Sequence, residues 1–171
     1  HLQERGHEAL LFAPGECPDT YAGHEVVGVK GMRFPWYPEL TAVSPFTDVS
    51  DRLRAFQPDL VHVLNPFFLG VAGIRQAQKL KLPMIASYHT DIPGYVRRYG
   101  YGFLERPAWA YIRWLHNRMA LNLCPSSVTC AELRTNGVER TKVWTRGVDT
   151  GQFSPEWRSR ETREELTQGA P

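Results

Sequence analysis

The run Ser87-Tyr88-His89-Thr90-Asp91 sets an imidazole among three hydroxyls and a carboxylate, directly after the apolar stretch Met84-Ile85-Ala86. Histidine is the side chain whose ordinary pKa lies nearest neutral pH, so an imidazole there can donate to a hydroxyl or a phosphate. His89 is therefore the leading candidate for chemistry. The polar run around it separates it from a histidine that only ties a loop to backbone carbonyls. Asp91 has two open readings, orienting His89 or fixing a turn before Pro93. Asn65-Pro66 either lines a cleft or simply ends a strand. His62, in the middle of the apolar run VHV, reads as a hydrogen-bonded core histidine. His7, His24 and His116 have no partner cluster, and no spacing in the chain suits a metal.

A second segment, YVRRYGYGFLERPAWAYIRWLHNR, interleaves arginine with aromatic rings. Ala108, Ile112, Leu115 and Met119 recur at helical spacing and account for part of it as core. Trp114 falls near Arg113 and Asn117 on the opposite side, a face suited to a bilayer, an acceptor or another domain. Most of these rings are expected to pack within the domain. Tyr95, Tyr99, Arg97 and Arg98 are the interface candidates. The three cysteines, Cys17, Cys124 and Cys130, form no CxxC pair and fit a reduced, structural role. Gly-rich dinucleotide and phosphate loops, GxSxG and HExxH are all absent from the sequence.

These residues need a scaffold, and the apolar pattern supplies one. Short apolar runs at 9–13, 25–29, 60–64, 84–88, 121–124 and 142–145 read as strands. Between them, Phe46, Val49, Leu53 and Phe56 make one helical stripe ended by Pro58. Leu69, Ala72, Gly73, Ile74, Ala77 and Leu80 make another. A long helix is expected over 107–120, and a further one from a Ser126 or Ser127 cap to Asn136, with Gly137 as its stop. The segment GMRFPWYPEL reads as Gly- and Pro-rich connection, and the charged tail from Trp157 onward as linker. Alternation of apolar strands with helices predicts an α/β domain with a parallel sheet covered on both faces. Such sheets hold ligands beyond the carboxyl ends of their strands. That rule selects Pro14-Gly15, Asn65-Pro66, His89-Thr90-Asp91 and Arg146-Gly147-Val148-Asp149.

Composition closes off other classes. The chain has 171 residues, 42% apolar and 22% charged, which is globular. Twenty Lys and Arg against eighteen Asp and Glu give a net charge of +2, too balanced for a nucleic-acid binder. No run of about 20 apolar residues is present for a spanning helix. The chain opens on His1, and HLQERGHE reads like the end of a helix, so its true beginning is expected upstream.

RGHE, PDLVHV, ASYHTD, CPS and RGVDT followed by Phe153 resemble, as an ordered set, the N-terminal domain of family 4 retaining glycosyltransferases. These are two-domain enzymes of the GT-B fold, each half Rossmann-like. YPE, SYHTD with Pro93 and Tyr95, the Trp-rich helix ending LHN, and VWTRGVDT most resemble the sulfoquinovosyltransferase and lipid-glycosyltransferase branch. The resemblance implies residues 1–155 as the acceptor-side domain without its first strand, and 156–171 as a charged linker toward a second domain. It implies transfer of a hexose from a UDP- or GDP-sugar to a lipid such as diacylglycerol, with no separate cofactor and no metal. His89 then matches the histidine that contacts the transferred sugar. Arg146 and Gly147 match the segment facing the donor, although many relatives carry Asn where Arg146 stands. Tyr95 and Arg98 are candidates for the acceptor head group, and Asp149 for fixing a turn. The expected partners are donor, lipid acceptor and a peripheral membrane surface, on the cytoplasmic side. Alone, the chain is expected to be inactive. The competing reading is a non-catalytic Rossmann-like module that binds a ligand or partner.

Overall fold

The computed structural model describes residues 2–34, 37–65, 67–145 and 147–167. Strands β1 (Leu10–Pro14) and β3 (His24–Val29) run parallel, with the short β2 (Thr20–Tyr21) antiparallel on the far edge of β3. Strands β4 (Met32–Phe34) and β5 (Tyr37–Ala42) form an antiparallel hairpin. The sequence reading took that stretch for connection, because its prolines and glycine weigh against a central strand but are tolerated at a sheet edge.

The remaining strands, β6 (Val61–Val63), β7 (Met84–Ser87), β8 (Leu121–Cys124) and β9 (Thr141–Val143), form a four-stranded parallel sheet in chain order. Helices α1 (Ser50–Phe56), α2 (Leu69–Lys79), α4 (Glu105–His116) and α5 (Ser127–Thr135) flank the strands, giving the α/β architecture the alternation requires. Side chains alternate across a strand. The register therefore puts Val63, Ala86 and Asn122 on one face, and His62, Ile85 and Leu121 on the other.

The first face carries the core. Val63, Met84 and Ala86 meet Ile74 and Ala77 of α2 and Leu115 of α4, with Met119 just beyond it. Tyr88, Cys124 and Cys130 meet Trp109, Ile112, Leu133 and Val138. Leu115 and Leu133 are wholly buried, and truncating either to Ala would cost roughly 2–5 kcal/mol. A third cluster, Val29, Val43, Val49 and Leu53, joins β3 and α1 and is backed by Phe12, Leu69 and Leu80.

Local signals explain the element ends. Ser126 caps α5 by accepting from Thr129 N–H at 3.1 Å, and Gly137 closes that helix region at φ +81°. The stripe expected from Phe46 begins only at Val49. Ser44 Oγ accepts from Phe46 N–H and Asp48 Oδ1 from Ser50 N–H, so side-chain turns hold the chain short of helix there. Phe46 is left exposed, with the Arg75 guanidinium 4.7 Å over its ring. The helix α3 (Ile92–Arg98) is an element the sequence reading did not anticipate, and α6 (Arg160–Thr167) forms within the charged tail with no buried residue.

Candidate functional site

Three of the four segments selected by the strand-end rule lie past carboxyl ends of the four-stranded parallel sheet. Asn65 follows β6, His89 follows β7, and Gly147 follows β9, while Pro14 ends β1 in the other sheet. His89 and Thr90 are exposed, whereas Tyr88 between them and the strand is buried at 4%. The backbone is anchored where it matters, since Tyr88 N–H donates to Leu123 O at 2.9 Å and extends the ladder beyond β7. His89 is thus presented from a fixed strand end.

The two readings of Asp91 separate on geometry. Its Oδ1 accepts from Gly94 N–H at 2.9 Å and from the Tyr88 hydroxyl at 3.4 Å, so Asp91 is the N-cap of α3. Pro93 in the first turn needs no N–H partner there. A Cβ on Gly94 would sit 1.9 Å from Asp91 Oδ2, so only glycine admits this close cap. The Tyr88 hydroxyl is held neutral, its pKa raised first by burial and then by the Asp91 charge.

His62 departs from expectation. Its ring is hydrogen-bonded, as a strand histidine should be, with Nε2 2.7 Å from Ser87 Oγ. It lies on the exposed face of the edge strand β6 and not in the core. Its pKa is lowered, first by burial of the ring against its neighbours and then by the charge of His89, which places the two imidazoles within electrostatic reach. Trp144, one residue past β9, brings its ring centroid to 5.8 Å from that of His62 at an interplanar angle of 54°. Ser87 entered the sequence reading only as the first residue of the SYHTD run, and Trp144 was not singled out. Only register across the sheet reveals them, because strand parity cannot be assigned where both faces are apolar.

His116 is the core histidine of this protein. It is wholly buried, and Asn122 Nδ2 donates to its carbonyl at 3.0 Å and to Glu139 O at 2.9 Å. Asn122 Oδ1 must then be the acceptor toward His116 Nδ1 at 2.8 Å, which puts the ring proton on Nδ1. Burial lowers the His116 pKa, partly opposed by the Asn122 bond. Cys124 and Cys130 are free and buried, and burial with the Cys130 hydrogen bond pushes the Cys124 thiol up to about 12. That thiol is inert at neutral pH.

Tyr95 and Arg98 fall on successive turns of α3, both exposed, with Tyr99 beside them at 6.4 Å between ring centroids. Arg97 is tied to Glu105 at 2.9 Å. Contrary to expectation, most rings of the Arg-aromatic segment stay exposed, Tyr95, Tyr99, Tyr101, Phe103 and Trp114 among them, because residues 99–104 run along the surface. Trp109 is buried, Tyr111 lies between Phe67 and Trp114, and Arg118 covers the Trp114 ring at 4.0 Å. Tyr99, Tyr101 and Phe103 stay outside, at 75%, 55% and 76% exposure. Asp149 does fix a turn, its carboxylate accepting from Gly151 and Gln152 N–H at 3.0 Å each. Gly147 is exposed in the segment before it, and Arg146 lies outside the described residues. Among the described residues no three His, Cys, Asp or Glu side chains group as a metal site, and no helix is long and apolar enough to cross a membrane.

Residues 1–152 match the pattern of Glycosyltransferase Family 4 over nearly the whole chain. The chain belongs to that family. It is 38% identical over 164 residues to a GDP-mannose-dependent alpha-mannosyltransferase of Corynebacterium glutamicum, covering 93% of this chain and 40% of that protein. It is 32% identical over 178 residues to Sulfoquinovosyl transferase SQD2 of Arabidopsis thaliana, covering 100% of this chain and 34% of the relative. Alpha-monoglucosyldiacylglycerol synthase of Streptococcus pneumoniae is 26% identical over 157 residues, covering 89% of the chain and 36% of that protein. The chain therefore spans between a third and just under half of the curated relatives it matches. A sulfoquinovosyl transferase and a diacylglycerol-directed enzyme, the branch the sequence resembles, are among them, together with mannosyltransferases.

Proposed function

We propose that the protein containing this chain is a retaining glycosyltransferase that moves a hexose from a UDP- or GDP-sugar to a lipid acceptor such as diacylglycerol. The observation that carries the reading is His89, held on an extended strand end at the mouth of a parallel sheet, in a chain of this family. The relatives' names supply the substrate classes, a GDP-mannose donor in one and a diacylglycerol product in another.

In the reaction, the bond between the sugar's anomeric carbon and the nucleotide phosphate breaks, and a bond to the acceptor oxygen forms on the same face. The acceptor proton passes to the departing diphosphate. No protein base is then required, and the protein's task is to stabilise charge that develops on the sugar ring and the diphosphate. His89 is assigned to the transferred sugar. Arg146 and Gly147 are assigned to the donor edge, with the remaining nucleotide contacts coming from the part of the protein outside this chain. This chain by itself is then not expected to turn over.

Tyr95 and Arg98 are assigned to the acceptor. They lie on the helix that starts three residues after His89, so a head group held there is one short helix from the sugar. Beyond them, Tyr99, Tyr101 and Phe103 are exposed rings beside exposed Arg98 and Arg106, a combination suited to the headgroup region of an anionic membrane. The enzyme is accordingly assigned to the cytoplasmic face of a membrane as a peripheral protein.

The test is His89→Ala in the full-length protein. Turnover should fall by at least tenfold, about 1.4 kcal/mol or more of transition-state stabilisation, with Tm nearly unchanged because His89 is exposed. Parallel losses of Tm and turnover would make His89 a structural residue.

A further inference from the structure

The chain passes from β7 to α3 with almost no slack. Tyr88 N–H donates to Leu123 O at 2.9 Å, so the sheet holds the backbone up to His89. Ile92 N–H then donates to Thr90 O at 3.0 Å across Asp91, whose φ of −79° and ψ of 76° are those of an inverse γ-turn. Tyr95 N–H donates to the Asp91 carbonyl at 2.9 Å as the helix begins. The Asp91 side chain ties the two sides of this turn together. Its Oδ1 accepts from Gly94 N–H at 2.9 Å on the helix side and from the Tyr88 hydroxyl at 3.4 Å on the strand side. The Tyr88 ring is itself immobilised in the core, 4% exposed in the cluster with Trp109, Ile112 and Leu133. It also meets the buried His116 ring edge-on, with centroids 5.8 Å apart at 65°.

This lock matters because α3 is only 7 residues long, too short to hold its own place. Arg97 fastens its last turn to Glu105 at 2.9 Å, and Pro93 and Gly94 are buried in its first. Of these fastenings, the Asp91 link is the one that sits beside His89. A helix of this length spans about 10 Å, so a tilt of roughly 10° about Asp91 moves the Arg98 end by nearly ~2 Å. A misplacement of about 1 Å can cost a reaction on the order of 100-fold. We infer that Tyr88 and Asp91 are positioning residues for transfer to the acceptor, setting the separation of His89 from Tyr95 and Arg98 without touching either substrate. This rests on the glycosyltransferase reading and adds to it the link that keeps the sugar side and the acceptor side of the site in register.

The experiment uses the full-length protein, assayed well below the Tm of every variant. Two rates are compared with the nucleotide sugar that wild type uses, drawn from GDP-mannose and UDP-glucose. One is glycolipid formed on diacylglycerol vesicles, and the other is the slow release of nucleotide when water is the only acceptor. Asp91→Ala should lower transfer to lipid about tenfold and Tyr88→Phe about threefold, because the first frees α3 and the second removes one long hydrogen bond. Release to water and calorimetric affinity for the nucleotide sugar should stay within about twofold of wild type in both, a split that a general loss of structure does not produce. Asp91→Asn retains an oxygen for Gly94 N–H and for the Tyr88 hydroxyl, so it should transfer nearly as wild type does. Parallel losses of transfer and release would overturn the positioning role, as would unchanged transfer in both Asp91→Ala and Tyr88→Phe. Asp91→Asn as damaging as Asp91→Ala would also overturn it, by showing that the charge acts and not the lock. A folded wild type that turns over no nucleotide sugar would instead remove the glycosyltransferase reading on which the inference rests.

Discussion

Asn122→Ala should be among the most damaging single substitutions in this chain, although Asn122 is not itself a candidate for chemistry. The side chain is wholly buried and makes three hydrogen bonds, to His116 Nδ1, His116 O and Glu139 O. Their loss does not weigh equally. His116 O keeps Met119 N–H as a second donor at 3.0 Å, so it gives up a net bond of about 1 kcal/mol. Glu139 is exposed and its carbonyl can turn to water, again about 1 kcal/mol. The His116 Nδ1–H is left without a partner in a wholly buried ring, a further cost of about 1–3 kcal/mol. The sum is roughly 3–5 kcal/mol, comparable with removing a large core side chain. Urea unfolding followed by tryptophan fluorescence reads it as a fall in midpoint at constant m-value. His116→Leu combined with Asn122→Leu should recover part of the loss, since no buried imidazole N–H is then stranded. A single-mutant cost below about 1 kcal/mol would refute the hydrogen-bond assignment.

Three further outcomes follow from the same structure. His116 and His62 both have lowered pKa values in the fold, so below the ordinary histidine pKa of 6.5 the unfolded chain takes up protons that the native state refuses. Stability should therefore be full above pH 6.5 and fall as pH drops toward the depressed native values, and His116→Leu should flatten that acid limb in unfolding curves measured from pH 7.5 to 5. Asp91→Ala removes the cap of α3 and should cost about 0.5–2 kcal/mol, while Gly94→Ala should cost at least as much by driving a methyl into the Asp91 carboxylate. Equal stability of wild type and both variants would remove the capping account. Sedimentation with liposomes should show the full-length protein bound more tightly as anionic lipid rises and released by salt, with Arg98→Glu and Phe103→Ser weakening it. Binding indifferent to both charge and salt would sink the membrane assignment of that patch.

The order of strands and helices from β6 to β9 was legible because each strand is a short apolar run with a turn after it. The same regularity exposed His89, since the polar run SYHTD begins where the apolar run stops. Helix α3 escaped notice because Pro93 and Gly94 look like breakers, although Asp91 ahead of them is a start signal of equal strength. The β4–β5 hairpin was hidden by proline and glycine in the same way. His62 was placed in the core because an alternating strand in an apolar context does not reveal which parity faces inward. Trp144 was out of reach altogether, because its neighbour His62 lies 82 positions earlier in sequence and three strands across the sheet. By contrast, the inward packing of Ile112, Leu115 and Met119 followed from their helical spacing.

The most direct test of the whole account is sugar transfer by the full-length protein. It is incubated with a panel of UDP- and GDP-sugars, with and without diacylglycerol vesicles, and nucleotide release is followed together with glycolipid. The account predicts a glycolipid with retained anomeric configuration from one donor, and nucleotide released in step with it. Nucleotide release without a lipid product would contradict the acceptor. No turnover of any donor by a folded full-length protein would contradict the enzyme.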